Sequence, residues 1–281
     1  MTVPITDADW EREVQCNLCG GRDLIALKTD PNWNCTFVRC ASCGLMFYSP
    51  RLRENYVVRR FLSAGDAEGE AHNLFENGLL VGKPETSPEK QKQILQGYYR
   101  HILGRHSGWF ERINNRKPRS IFEAGASVGW YLKVARDEFL HGASEPRARG
   151  CDANPFSAEV AKTGFGLDVF GGTLQERPIA NAERNHFDLI AALDFIEHTY
   201  TPRDDLTKLR QLASPGAVMV LKTFLHELDE TGAYVHPIFH VHHFTAVTLR
   251  KTIEAAGWEV MEFDDQIERT LAQVTVFAKK P

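Results

Sequence analysis

Residues 121–135 read IFEAGASVGWYLKVA: an apolar run, a turn carrying Gly125 and Gly129, and the start of a helix, with Glu123 just before the turn. A glycine-bearing turn between a strand and a helix is where α/β folds bring backbone N–H groups to a nucleotide. The acid decides which nucleotide fits. A pyrophosphate-binding turn carries glycines at G-x-G-x-x-G spacing so that the backbone closes on the phosphates. Here Ser127 stands between the two glycines. A carboxylate at Glu123 repels a diphosphate and attracts an ammonium. The turn therefore calls for a ligand with an amine.

A second acid lies where nucleotide folds bind ribose hydroxyls. RARGCDANPF, residues 147–156, puts Asp152, followed by Ala153, at the end of a short strand, roughly twenty residues after the turn. S-adenosylmethionine satisfies both acids: an ammonium for Glu123, a carboxylate for the helix N-terminus and a ribose for Asp152. Apolar strand patterns then alternate with helical ones through LDVFGGT, FDLIAALD and VMVLKTF. That alternation predicts an α/β fold, Rossmann-like, with helices on both faces of a mostly parallel sheet. TAVTLRKTIEAAG predicts a helix stopped by Gly257, and WEVMEF with LAQVTVFA a closing hairpin. The SPG at Ser214 to Gly216 is read as a turn into the fifth strand, after a helix from Asp204 to Leu212.

Taken in order, E-x-G-x-x-x-G, D-x-N-P, FDLIAALDFIEH and SPGAVMVLKTF resemble a class I S-adenosylmethionine-dependent methyltransferase over residues 118–281. The family's usual D-x-G-x-G-x-G has its middle glycine replaced by Ser127. The resemblance implies cofactor contacts from Glu123, Gly125, Ser127, Gly129, Asp152 and Ala153. It also implies that Thr173 and Leu174 of GGTLQE hold the adenine, with Leu193 and Asp194 at the end of the fourth strand. It places the last strand antiparallel between its neighbours.

The chain has 281 residues, 43% apolar and 25% charged, enough for a sizeable core. A net charge of −4 lacks the basic excess of a protein that gains affinity by neutralising phosphates, which disfavours bulk nucleic-acid binding. MTVPITDADWEREV has no basic-then-apolar leader, and no apolar run approaches the roughly twenty residues that span a bilayer. A cytoplasmic protein is expected.

Five of the six cysteines precede residue 44, and Cys16 with Cys19 and Cys40 with Cys43 form two C-x2-C knuckles, each followed by glycine. The spacing matches a zinc ribbon over residues 1–50. A disulfide pair and a rubredoxin-like iron site use similar knuckles. Four thiolates leave no position open for substrate, so the expected Zn2+ is structural. Cys35 reads as a hairpin residue and Cys151 as a small buried one. Residues 51–117 read as a helical linker and lid region. Within it, glycines and Pro84 punctuate residues 51–86, then Ser87, Pro88 and Glu89 start a long helix. Its stripe of Ile94, Leu95, Tyr98, Tyr99, Ile102, Leu103, Trp109, Phe110 and Ile113 is predicted to face a core.

Methyl transfer from a sulfonium needs alignment, exclusion of water and, for a protonated nucleophile, a base. Asp194, Glu197 and His198 follow the fourth strand at the carboxyl edge, where open α/β sheets place their chemistry. His198, with Glu197 beside it, is the expected base. A second cluster, YVHPIFHVHHFT at residues 234–245, offers Tyr234, His236, His240, His242 and His243; His240 and Tyr234 are its candidates for substrate contact. No acid or cysteine within it completes a metal set, and adjacent His242 and His243 point apart in an extended segment. A zinc ribbon ahead of this domain is similar to enzymes that C-methylate keto-deoxysugar nucleotides, which implies roles for Tyr200, Glu197 and His198. Those enzymes carry a further C-terminal domain. The expectation is therefore a methyltransferase acting on a small-molecule acceptor, O-, N- or C-linked. The alternatives are an RNA methyltransferase that grips RNA through the ribbon, and a non-catalytic ribbon protein with a methyltransferase-like scaffold.

Overall fold

A computed structural model describes residues 5–32, 34–59, 71, 87–141, 147–226, 240–264 and 273–281. The strand that opens the decisive stretch, β6 (Ser120–Ala124), is buried along its whole length, as expected for a strand covered on both faces. It lies inside a seven-stranded sheet, with strands on both sides. On one side β6 is followed by β7 (Arg147–Asp152) and β8 (Asp168–Gly171), on the other by β9 (Phe187–Leu193) and β10 (Ala213–Phe224). All these neighbours pair in parallel. β13 (Gln273–Lys279) then lies antiparallel between β10 and the edge strand β12 (Glu259–Asp264), as the resemblance implied.

The helices form where the local chemistry allows. Ser87 caps the helix Pro88–Asn114 by accepting from the Lys90 N–H. Asn154 caps Pro155–Phe165 through two N–H groups, and Thr245 caps Ala246–Ala255. The helix Pro202–Leu212 begins two residues before the expected Asp204, with proline in its first turn. Ser214 to Gly216 do not form a free turn. They lie inside β10 as an irregularity, because Ala213 already pairs with Phe187 and regular pairing resumes at Val218.

The long helix packs through Tyr98, Tyr99, Ile102, Leu103, Trp109 and Phe110 on the core that contains Val218, Val220 and Phe277. Buried His106 pins it: Nε2–H donates to the Val218 carbonyl at 2.7 Å, and Nδ1 accepts from the Tyr131 hydroxyl at 3.1 Å. Ile94, expected in the stripe, is exposed; it lies roughly 180° around the helix from Leu103. Ile113, in the last turn, is also exposed.

The N-terminal segment is a small antiparallel sheet of β2 (Leu24–Asp30), β3 (Cys35–Cys40) and β4 (Met46–Ser49). β1 (Trp10–Glu11) pairs with β5 (Arg51–Leu52), so the chain from Arg51 returns to the start of the ribbon instead of simply leaving it. A short helix, Glu54–Val57, follows. The punctuated stretch of the linker falls almost wholly outside the described residues. A fourth strand joins the ribbon sheet from far along the chain: β11 (His242–His243) pairs antiparallel with Phe47 and Met46 of β4. Ribbon residues Val14, Leu18, Val38, Leu45 and Phe47 share one core with Phe244, Leu249 and Ile253. Among the described residues no helix is long and apolar enough to cross a membrane.

Candidate active site

The turn after β6 takes up the backbone expected of a tight nucleotide turn. Gly125, Ser127 and Gly129 have φ of 71°, 48° and 84°. Ser127 thus adopts the left-handed conformation that its family's glycine would supply, at a cost of roughly 1–2 kcal/mol. Gly129 takes a side chain at a cost, because its φ is positive and a Cβ there would stand 2.6 Å from Leu167 Cδ1 and 3.2 Å from Ala161 Cβ. The Ser127 N–H donates to Asp152 Oδ2 at 2.7 Å, and the Asn154 N–H to Oδ1 at 2.8 Å. The ribose candidate is therefore tied to the turn itself. Burial raises the Asp152 carboxyl, opposed by these two N–H donors.

Glu123 lies deeper than a residue at the mouth of a turn, with 3% of its surface exposed. Its burial, with Asp152 nearby, pushes its carboxyl well above the usual range. Oε2 has no hydrogen-bond partner among the described residues. A buried carboxyl with one oxygen unmatched is what an incoming ammonium would satisfy. Ala153 is half-buried and Thr173 bonds Glu176 at the surface, whereas Leu174 and Leu193 are buried walls.

Beyond β9 the chain supplies the other half of the edge. Asp194, at φ 49°, accepts from Lys222 Nζ at 3.0 Å and from Gln273 Nε2 at 3.3 Å. The Tyr98 ring lies 5.2 Å from that ammonium, which brings the long helix over the edge as a lid would. Glu197 is 2% exposed; Oε2 accepts from Thr223 Oγ1 at 2.8 Å and Oε1 has no partner among the described residues. Burial, helped by Asp194, raises its carboxyl to about 7 against the pull of Thr223 and Lys222. His198 is exposed, its ring edge-on to His240 at 4.7 Å. Burial, with His198 and His226 nearby, lowers His240 to about 4.

The structure thus completes what the histidine segment lacks. Taken alone that segment has no acid, yet Glu197, from the β9 loop, brings one ligand atom within 4.8 Å of those of His198 and His240. The expectation that no acid completes a metal set fails because the acid lies 43 residues upstream of His240. Sequence distance hides what the parallel sheet brings together. His242 and His243 point apart as expected. His242 Nδ1–H donates to the Thr199 carbonyl at 2.8 Å. The His243 ring lies against Phe37, Tyr48 and His226. Tyr234 and His236 lie outside the described residues. Tyr200 is buried among Leu52, Tyr56, Val57 and Val241, with the Arg51 guanidinium 4.7 Å over its ring. Lys222 and Thr223 were passed over in the sequence; a lysine ending an otherwise apolar strand was the available signal.

In the ribbon, the Sγ atoms of Cys16 and Cys43 are 3.4 Å apart, and those of Cys19 and Cys40 are 3.5 Å apart. All four lie within 4.8 Å of one another. Backbone N–H groups of Leu18 and Cys19 donate to Cys16, those of Ser42 and Cys43 to Cys40, and that of Leu45 to Cys43. Gly20 and Gly44, at φ 73° and 86°, make the turns that aim the thiols inward. Sulfurs around one zinc stand about 3.8 Å apart, so the tetrad fits a tetrahedral ion. Cys35 and Cys151 are buried outside it.

The sheet order, with its reversed last strand and its carboxyl-edge turn, defines a Rossmann-like methyltransferase fold. Residues 93–262 match the family described as Methyltransferase domain, and the chain belongs to that family. The Ubiquinone biosynthesis O-methyltransferase of Cereibacter sphaeroides (strain KD131 / KCTC 12085) is 35% identical over 91 residues, 28% of this chain and 36% of that protein. The matched region is thus little more than a third of that relative's length. Magnesium protoporphyrin IX methyltransferase (ChlM) from Synechocystis PCC 6803 with bound SAH is similar in fold. Its TM-score is 0.55 at 14% identity, over 82% of this chain and 100% of that one. The [4+2]-cyclase SpnF aligns at TM-score 0.52 and 14% identity, over 71% of this chain and 84% of that one. At such identities the likeness shows the fold, and chemistry has to be argued from the site.

Proposed function

We propose that the chain transfers a methyl group from S-adenosylmethionine to a small-molecule acceptor at the carboxyl edge of its sheet. The observation that carries this reading is the division of that edge. Glu123, the Gly125–Ser127–Gly129 turn and Asp152 suit an aminoacyl nucleoside, and Glu197, His198 and His240 converge on the adjoining half. In this reading Glu123 meets the ammonium and the turn meets the carboxylate. Asp152 and Ala153 meet the ribose, and Thr173, Leu174, Leu193 and Asp194 border the adenine. Bound there, S-adenosylmethionine supplies an electrophilic methyl group. Glu197 and His198 orient the acceptor and accept its proton, and Tyr98 helps exclude water. A keto sugar or related natural-product intermediate fits the ribbon-bearing resemblance. The ribbon's four cysteines hold a structural zinc, supported by the sulfur spacing and the N–H donors aimed at it.

Calorimetric titration with S-adenosylhomocysteine, with NAD as control, tests the site. Binding on the order of micromolar for the first alone is expected. Binding of neither, or of NAD, would remove the reading. Transfer of label from methyl-labelled S-adenosylmethionine to a panel of keto sugars and phenols would then sort the acceptor class.

A further inference from the structure

We infer that Glu197, His198 and His240 together hold a divalent cation at the acceptor half of the edge. Each of the three offers one ligand atom, and these atoms lie within 4.8 Å of one another. Donors bound to one first-row ion at about 2.1 Å stand roughly 3–4 Å apart, so side-chain rotation that shortens the separations by at most about 1–2 Å closes the set. The three come from two segments, the β9 loop and the stretch before β11, so their convergence is a property of the fold and not of local spacing.

Among the described residues, two of the ligand residues are otherwise left without a partner for one polar atom each. Glu197 is 2% exposed, and Thr223 holds its Oε2 at 2.8 Å while Oε1 has no partner. His240 Nδ1 is also buried without a partner. Its backbone is fixed by His243, whose Nε2–H donates to the His240 carbonyl at 3.1 Å. Unmatched buried polar atoms are costly, and a cation ligated through these two atoms would satisfy both at once. The Thr223 hydroxyl then plays the outer-shell role that orients a ligating carboxylate. Two imidazoles and a carboxylate suit Zn2+, Fe2+, Co2+ or Ni2+ better than Mg2+ or Ca2+. Three protein ligands leave positions open for water and for an acceptor oxygen, unlike the closed cysteine tetrad.

The cation's role, though not its binding, rests on the acceptor lying at this edge. An acceptor oxygen bound to the ion gives up its own proton, or one on the neighbouring carbon, more readily. The proton leaves to solvent. The electron pair it leaves forms the new bond to the methyl carbon, and the carbon–sulfur bond breaks with its pair on sulfur, giving S-adenosylhomocysteine. On this inference Glu197 and His198 act by holding the ion, and this replaces the direct proton acceptance given to them above.

The test is a Co2+ titration of the full-length, tag-free chain whose cysteines are already loaded with zinc. One further equivalent is expected, with the weak visible bands of nitrogen and oxygen ligation and no thiolate charge-transfer absorption. Its dissociation constant should rise about tenfold or more in Glu197→Gln and in His240→Ala, with S-adenosylhomocysteine binding retained as the measure of an intact fold. Absence of a further equivalent in the unaltered chain overturns the inference, as does one whose affinity neither substitution changes. Failure to bind S-adenosylhomocysteine would instead sink the methyltransferase reading and leave the Co2+ result standing.

Discussion

Glu123 carries two opposed demands. It is buried with a raised carboxyl and an oxygen unmatched among the described residues, so the group proposed to meet the cofactor's ammonium weakens the fold when nothing is bound. An unfolded chain loses this proton near the ordinary value of 4.5, whereas the folded chain keeps it to a higher pH. Between those two values the folded state binds more protons, and stability falls as pH rises through the window. Glu123→Gln removes that fall. At neutral pH the variant without cofactor is expected to melt a few degrees above the unaltered chain, with no difference at pH 3. The sign reverses on binding. An ammonium favours the charged carboxylate, so S-adenosylhomocysteine should release a proton, seen as a buffer-dependent heat in calorimetry, and Glu123→Gln should abolish the release and weaken binding. A release that persists in the variant would assign it to another group. Asp152 has a plainer role. Asp152→Ala removes the acceptor for the Ser127 and Asn154 N–H groups as well as the proposed ribose contact. It is expected to lower stability by about 1–3 kcal/mol and to weaken S-adenosylhomocysteine; unchanged affinity would move the ribose site elsewhere. These residues were legible because a turn, its two acids and its glycines lie within about thirty residues of chain. The partners of Glu197 were not, since nothing local links it to His240.

Elements were readable where their signals are local. Ser87 with Pro88, the apolar runs of β6, β9 and β10, and Gly257 after Ala246–Ala255 all mark what the structure contains. The SPG stretch misled because proline and glycine mark bulges as well as turns, and only pairing with β9 decides between them. β11 had no signal at all. Two residues form a strand only because β4 presents Phe47 and Met46 to them. That short pairing matters, since His242 and His243 anchor the chain two residues after His240. His242 is held neutral by burial, with Arg51 nearby, which lowers it to about 3. Its Nδ1–H is the partner of the Thr199 carbonyl in the loop that carries His198. His242→Leu keeps the bulk and strands that carbonyl, at a cost of about 1–3 kcal/mol. Methyl transfer should fall through kcat while S-adenosylhomocysteine affinity is unchanged, because the cofactor half is built on β6 and β7. Equal losses in both would show that the two halves do not move separately.

At the scale of the whole molecule, a ribbon over residues 1–50 and a sheet domain over 118–281 read as separate units, because the cysteine knuckles end at Cys43 and the strand–helix alternation starts only near residue 120. Packing joins them. Leu45 and Phe47 lie in one core with Phe244, Leu249 and Ile253. Asn17 Oδ1 accepts from the Arg203 N–H at 2.8 Å, and Arg51 covers Tyr200. A small sheet of this size has too little core to stand alone, so the zinc proposed for its four cysteines would carry much of its stability. Metal removal should therefore reach the acceptor half through β4 and β11 while sparing the turn after β6. Replacing Cys40 and Cys43 with Ser is expected to release one zinc per chain, measured by elemental analysis under reducing conditions. Hydrogen exchange should speed up in residues 35–49 and 240–244 together, with the amides of β6 and β9 still protected. Methyl transfer should drop about tenfold or more, with S-adenosylhomocysteine still bound. Faster exchange confined to residues 35–49 would make the ribbon a separate module after all, and an unaltered chain purified without metal would remove the zinc from this argument altogether.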